Sequence, residues 1–239
     1  MRLILEMDGP VVDVEPAVWA AYTAAASEAG VPRLDRAEFW RRFRIGDPAG
    51  RWVPGAAASK VPEFVRRFEA RCELDECLEL CAAQAETTTA LIGLKRRAEL
   101  VLVTVGLNKA ARQRVLDREK LSEFFTRMLG LPGQPHLRAA PLRELHLMEG
   151  KTLICAASPA LVQAAAGAGI PAVGIGQGIA TTKRLTQAGA SATFLTLAAL
   201  DEDFDQGCPV LSAAHLVPGR PRVASPFGSL RARSEEADE

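Results

Sequence analysis

A short apolar run followed by two acidic residues opens the chain. Residues 3–5 are all aliphatic and predict a buried strand, and Glu6 and Asp8 come directly after it. The pair at residues 9–10, glycine and proline, ends the strand, so both carboxylates lie at its carboxyl end. In an open α/β sheet that end is where ligands bind. If the rest of the chain is α/β, the functional site is here.

The next stretch has the periodicity of helices. Val18, Tyr22 and Ala26 recur at a spacing of four residues, which indicates one face of a helix. After a loop at residues 46–58, rich in glycine, proline and alanine, helical spacing returns at residue 62 and predicts helix to about residue 85. Such a long helical stretch after a strand favours a helical bundle inserted into an α/β domain.

From residue 90 onward, strand and helix patterns alternate. Apolar runs predict strands at 100–103, 152–155, 171–175 and 192–195, and a short strand or turn at 124–129. Ser158 and Pro159 predict a helix start, whereas Pro141 interrupts a predicted helix at 137–147. This alternation predicts a parallel sheet covered on both faces.

Charge and cysteine usage narrow the functional classes. Basic and acidic residues number 29 each, which argues against nucleic acid or a membrane surface as a partner. We expect neither a membrane span nor a signal peptide. The five cysteines fit neither a disulfide framework nor a zinc site, so a reducing cytoplasm is expected. Cys72, Cys77 and Cys81 lie in one segment. Helical spacing there predicts that Leu74, Cys77, Leu78 and Cys81 form one buried face of a helix.

Five features occur in a specific order: residues 7–9 with Asp13, the helical insertion, the strand that ends at 104–106, Ser158 with its helix, and residues 169–174. In this order the chain resembles the haloacid dehalogenase superfamily, in the helical-cap subgroup of phosphoglycolate phosphatase and β-phosphoglucomutase. The resemblance covers residues 3–200. It implies an α/β fold with a Rossmann-like parallel sheet core (1–14 and 86–200), an inserted all-helical cap (15–85) and a carboxyl-terminal tail (201–239).

The resemblance also implies a chemistry, which is phosphoryl transfer to a carboxylate with the help of Mg²⁺. It places Glu6 at the position of the nucleophile and Asp8 at that of the general acid and base. It further places the hydroxyl of Thr104, with the amides of Val105 and Gly106, where the family holds phosphate.

The sequence departs from the family pattern at most other positions. Glu6 replaces an aspartate, Pro10 a threonine and Gln134 a lysine, and Ala157 and Leu161 stand where acidic residues hold Mg²⁺. A misplacement of about 1 Å costs on the order of a hundredfold in rate. Without the lysine and the metal, we expect nothing to offset repulsion between the two carboxylates and a phosphate. We therefore expect no metal site and no cofactor, with Mg²⁺ relevant only to a residual hydrolase.

Three functional hypotheses follow. The first is a pseudoenzyme, a catalytically impaired pseudo-phosphatase that binds an unknown protein partner or a small anionic ligand, with a homodimer as one possibility. In it, Glu6 and Asp8 are polar residues retained at a strand end, with Asp8 capping the turn at Gly9. The alternative is a residual hydrolase with Asp8 as acid and base and Glu6 as nucleophile or base. The third is an interaction protein that depends on its tail.

Overall fold

The computed structural model describes residues 1–106, 108–147 and 151–205. Within them the strands are β1 (Arg2–Glu6), β2 (Val12–Asp13), β3 (Ala82–Ala83), β4 (Glu99–Val105), β5 (Arg127–Leu131), β6 (Thr152–Ala156), β7 (Ala172–Ile175) and β8 (Ala192–Phe194). The α-helices are α1 (Glu15–Ala29), α2 (Arg36–Ile45), α3 (Val61–Cys72), α4 (Asp75–Leu78), α5 (Thr87–Lys95), α6 (Lys109–Arg118), α7 (Ala139–Leu147), α8 (Pro159–Ala168), α9 (Thr182–Gln187) and α10 (Leu197–Asp205).

The first strand lies inside a six-stranded parallel sheet. The strand order is β5-β4-β1-β6-β7-β8, so β1 has a neighbour on each side. Side chains on both faces of β1 are buried, since Leu3 and Leu5 pack in one apolar cluster and Ile4 in the other. The strands run in the same direction, so their carboxyl ends meet at one edge of the sheet, and Glu6 lies there. The prediction of an α/β fold with a Rossmann-like sheet is confirmed.

The helices between β2 and β3 form a second layer with an apolar core of its own. This helical insertion, residues 14–81, is joined to the sheet through an antiparallel pair in which Val12 faces Ala83 and Asp13 faces Ala82. Its core is aromatic, with the ring of Tyr22 stacked on that of Phe39 at 3.9 Å. The insertion therefore packs as a helical bundle above the carboxyl edge of the sheet.

Helix ends follow their sequence signals. The Ser158 side chain caps α8 by accepting from the amide of Leu161, with a proline in the first turn, as the sequence predicts. Gly30 ends α1 in the left-handed conformation. Pro141 was expected to interrupt its helix, but it lies in the first turn of α7, where a missing N–H breaks no hydrogen bond.

Two predictions for the insertion and the tail are wrong in part. The helix predicted from 62 to about 85 breaks at Glu73, continues as the short α4 and is followed by β3. Because of the break, Leu74 is exposed, although Cys77, Leu78 and Cys81 are buried as predicted. Residues 201–205 of the predicted tail belong to α10, and residues 206–239, including Cys208, lie outside the described residues.

No helix in the described ranges combines the length and the apolar character that a crossing of the bilayer requires.

Candidate active site

The carboxylate of Glu6 is bound by the beginning of α8. The amides of Ala157 and Ser158 donate to its Oε2 at 2.7 and 2.8 Å, and the Ser158 hydroxyl donates to its Oε1 at 2.6 Å. The side chain is 3% exposed. β1 and β6 are neighbours in the sheet, so the end of β1 points its last side chain at the loop that leaves β6. Both oxygens of the predicted nucleophile are thus engaged by the chain itself.

The protonation of Glu6 is shifted by this position. The pKa of Glu6 is raised to about 7. Burial is the main cause and the charge of Asp8 a smaller one, and both act against the lowering effect of the hydrogen bonds from Ser158 and Ala157. Near neutral pH the carboxyl group is therefore partly protonated, unlike an ordinary surface glutamate.

Asp8 lies beside a buried arginine of α6. Its Oδ2 is 3.5 Å from Nη2 of Arg112, whose side chain is 4% exposed. Burial raises the pKa of Asp8, and the charge of Arg112 opposes that rise. The sequence prediction had Asp8 capping the turn at Gly9, but its carboxylate faces this guanidinium instead.

The stretch predicted to hold phosphate lies at the end of β4. Thr104 is fully buried, and its hydroxyl has no hydrogen-bond partner among the described residues. Gly106 has a φ of +140°, and a methyl group there would lie 2.5 Å from Oε1 of Glu73 and 2.8 Å from Nη1 of Arg112. Val105 lies between them and is half-buried. The ion pair of Arg112 and Glu73 therefore covers this stretch.

The positions of the family's metal-binding acids do not fit Mg²⁺. Leu161 is fully buried in the apolar cluster beneath α8. A methyl group added at Gly9 or Gly178 would lie 2.7 or 2.8 Å from the Cβ of Ala157, so three loops meet there without space for a longer side chain. In the described ranges, no group of three or more His, Cys, Asp or Glu side chains is arranged to hold a metal. Mg²⁺ requires several oxygen ligands, and the side chains of Ala157 and Leu161 supply none.

A buried arginine near Glu6 escaped the sequence analysis. Gln134, assigned to the lysine position, precedes a 3₁₀ turn (Pro135–Leu137), and Arg138 follows that turn. Arg138 is 7% exposed and donates to the carbonyls of Pro132 and Gly133 at 2.9 and 2.6 Å. Burial lowers the pKa of Arg138, and the charge of Glu6 opposes this.

One buried cation faces the carboxylates, since Nη2 of Arg112 lies 3.5 Å from Oδ2 of Asp8. The prediction that nothing offsets the negative charge of this site is therefore wrong. The sequence offered only a weak indication that Arg138 would be buried near the site, since it is one basic residue in a segment that matches the family poorly.

A surface cavity of about 470 Å³ lies elsewhere, at the amino ends of β1 and β4. Its lining includes Arg2, Lys95 and Arg97, each of which donates to a protein oxygen. Because the carboxylates lie at the opposite edge of the sheet, we place the candidate site with them rather than in this cavity.

Three features of this chain bear on its relation to known proteins. They are the strand order, the helical insertion after the first strand and the carboxylates at the end of β1. No protein-family model and no curated protein matches the sequence. Solved structures match it over most of its length. A haloacid dehalogenase-like hydrolase from Streptococcus pneumoniae superposes with a TM-score of 0.67 at 16% identity, over 85% of this chain and 97% of that one. This chain has the haloacid dehalogenase fold.

Two further structures agree with that assignment. A predicted phosphatase from Clostridium acetobutylicum has a TM-score of 0.65 at 13% identity, covering 86% of this chain and 98% of its own. A predicted phosphoglycolate phosphatase from Haemophilus somnus has a TM-score of 0.63 at 20% identity, covering 85% and 96%. The resemblance stated from the motifs is thereby confirmed for the fold, an α/β core with a helical insertion.

Proposed function

We propose that this chain uses the haloacid dehalogenase fold as a catalytically impaired binding, scaffold or regulatory module. The observation that carries the proposal is the position of Glu6, whose carboxylate accepts three hydrogen bonds from Ala157 and Ser158. An attacking carboxylate needs a free oxygen aligned with phosphorus. Freeing Glu6 would leave two buried amides without an acceptor, at a cost of about 1–3 kcal/mol each.

The other requirements of phosphoryl transfer are an ionised nucleophile, a free general acid and a bound Mg²⁺, and each of them is also weakened. With a pKa of about 7, Glu6 is half protonated at neutral pH, and a protonated carboxyl group is a poor nucleophile. Asp8, which would move the proton, is paired with Arg112. Ala157 and Leu161 give Mg²⁺ no oxygen ligands. We therefore propose that the protein needs no cofactor.

The proposed partner is a protein or a small anionic ligand. The buried guanidinium of Arg112 lies beside Asp8 and binds a carboxylate of this chain, that of Glu73, which favours a negatively charged group as the one it recognises. Nothing in the neutral overall composition favours nucleic acid.

A residual hydrolase is the second candidate, and the comparisons favour it. The relatives described above carry hydrolase or phosphatase in their names. A carboxyl group with a pKa near 7 is also suited to act as a general base at neutral pH. In this candidate Asp8 is the acid and base, Glu6 the nucleophile or base, and Mg²⁺ the cofactor.

Titration calorimetry with Mg²⁺ and with orthovanadate, a mimic of transferring phosphate, separates the two candidates. We expect neither to bind the folded wild-type protein above the level of the Asp8→Asn variant. Binding of both that disappears in Asp8→Asn would contradict the impaired-site proposal and support the hydrolase.

A further inference from the structure

Two carboxylates of the helical insertion contact the core. Asp75 accepts from the side chains of Asn108 and Arg114, and Glu73 accepts from Arg112 beside Asp8. Glu73 directly follows α3, at the break where α3 gives way to α4. Its two oxygens accept from Nη1 and Nη2 of Arg112 at 2.9 and 3.1 Å, and its Oε2 also accepts from the amide of Asn108 at 3.1 Å. This is the two-pronged geometry in which a guanidinium recognises a carboxylate.

Arg112 depends on this carboxylate because it is buried. Burial lowers its pKa, yet the charges of Asp8 and Glu73 together raise the pKa well above its ordinary value. A buried arginine that loses its partner is strongly destabilising, since its charge is left uncompensated. Asp8 alone makes a longer contact, at 3.5 Å.

The backbone around the pair is shaped to admit a carboxylate. Gly106 approaches so closely that any side chain there would overlap Oε1 of Glu73 and the Arg112 guanidinium. Asn108 contributes its backbone N–H to Glu73 Oε2, and its side chain donates to the Glu73 carbonyl at 3.0 Å. Gly106, Asn108 and Arg112 all belong to the core, whereas the carboxylate comes from the insertion.

We propose that Arg112 and the amide of Asn108 form a monocarboxylate-binding site, and that Glu73 is its internal ligand. While Glu73 occupies the site, it is one of the contacts that hold the insertion against the core, together with that of Asp75 and Arg114. When the insertion separates, the same site beside Asp8 is open to the carboxylate of an external ligand or partner. The site does not depend on whether Glu6 and Asp8 carry out hydrolysis.

Charge favours a monocarboxylate over a phosphate. With Asp8, Arg112 and Glu73 ionised, the cluster carries one net negative charge. A monocarboxylate replaces Glu73 charge for charge, whereas a phosphate dianion adds a second negative charge next to Asp8, which is unfavourable in a buried site.

Rescue of a truncated side chain by acetate tests the proposal. Glu73→Ala removes the equivalent of one acetate ion and leaves the site vacant. We expect sodium acetate to raise the Tm of Glu73→Ala by about 2–4 °C over sodium chloride at equal ionic strength. The wild type, whose site is occupied, and the double variant Glu73→Ala with Arg112→Met should show no such difference.

Two results would overturn the proposal. One is an acetate effect in Glu73→Ala no larger than the chloride effect, and the other is an equal acetate effect in the double variant. If Glu73→Ala does not fold, Glu73→Gln keeps the side-chain shape without the charge. Amide exchange in α4 and at the start of α6 should then be at least tenfold faster than in the wild type, and unchanged exchange would also overturn the proposal.

Discussion

Glu6 differs from a nucleophilic aspartate by one methylene group, and that length brings its carboxylate to the amides of α8. Its oxygens lie 2.6–2.8 Å from three donors of Ala157 and Ser158. The side chain therefore joins β1 to the helix after β6, and its carboxyl group contributes to the structure of the cleft rather than facing an open site.

The pH dependence of stability should reveal the environment of Glu6. Its pKa is about 7 in the folded chain, against 4.5 as the ordinary value. Between those two pH values the folded state binds a proton that the unfolded state does not. Raising the pH through this interval should therefore lower the free energy of unfolding, by about 3 kcal/mol from this group.

Urea unfolding at a series of pH values from 5 to 8 measures this contribution. We expect the decline to be smaller in Glu6→Gln, which cannot ionise, than in the wild type. Equal declines in the two proteins would show that Glu6 has an ordinary pKa in the folded state.

Gly106 is expected to be intolerant of a side chain. Gly106→Ala should destabilise the chain by at least about 1–3 kcal/mol, because φ is +140° and the methyl group would meet Glu73 at 2.5 Å. Gly50→Ala is the matched control, since a methyl group there meets no atom within 4 Å, and it should change stability by less than about 0.5 kcal/mol. Similar losses for both variants in chemical denaturation would contradict this account of the cleft.

At the residue scale, the sequence located the carboxylates but not their partners. Local pattern places Glu6 and Asp8 at the end of a strand. The pairing of Arg112 with Glu73 joins residues 39 positions apart, on elements whose contact depends on how the insertion docks. The hydrogen bonds of Glu6 likewise join residues 151 and 152 positions apart. Side-chain partners of this kind are set by packing, which periodicity does not encode.

At the scale of secondary-structure elements, the Tyr22 hydroxyl joins three segments of the helical insertion. The Tyr22 hydroxyl donates to the carbonyl of Trp52 and accepts from the amide of Leu34, both at 2.7 Å. It thereby connects α1 to the segments on either side of α2. Its ring also packs against Phe39 and Phe64.

Tyr22→Phe should therefore cost about 1 kcal/mol, because it removes the hydrogen-bond partner of a partly buried N–H and of a partly buried carbonyl. Thr23→Ala is the control, since its hydroxyl bonds within α1 only, to Ala20, and its loss should cost less than about 0.5 kcal/mol. Denaturant unfolding measures both. An unchanged midpoint for Tyr22→Phe would mean that these hydrogen bonds contribute nothing net to the bundle.

Element prediction succeeded where patterns were long and failed where they were short. Buried parallel strands read as continuous apolar runs, which is why the runs at residues 100–103 and 152–155 were recognised. A two-residue strand such as β3 shows no alternation, so residues 82–83 were assigned to a helix. The edge strand β5 contains Arg127 and Gly130 and is only partly buried, and its sequence fitted a turn equally well.

For the whole molecule, α10 extends the packed body beyond the boundary that was predicted at residue 200. Leu200 and Phe204 are buried, and Arg97 pairs with Asp201 and Asp205. A chain truncated after Leu200 should therefore have a Tm several degrees below that of a chain truncated after Asp205. Equal Tm values for the two shortened chains would contradict a structural role for the second half of α10.

The shorter tail also tests the third hypothesis. If the chain acts as an interaction protein through residues 206–239, truncation after Asp205 should abolish association with itself or a partner while the body stays folded. Light scattering measures self-association directly, and unchanged association in that chain would remove this hypothesis.

Whether the carboxylates turn over substrate is the central question for the molecule, and turnover of a panel of phosphate monoesters with Mg²⁺ answers it most directly. We predict that the wild-type chain hydrolyses none of them faster than Asp8→Asn does. Glu6→Asp should not restore activity, because Ala157 and Leu161 still offer Mg²⁺ no ligand. Wild-type hydrolysis that is lost in Asp8→Asn would contradict the account and identify the chain as a working phosphatase.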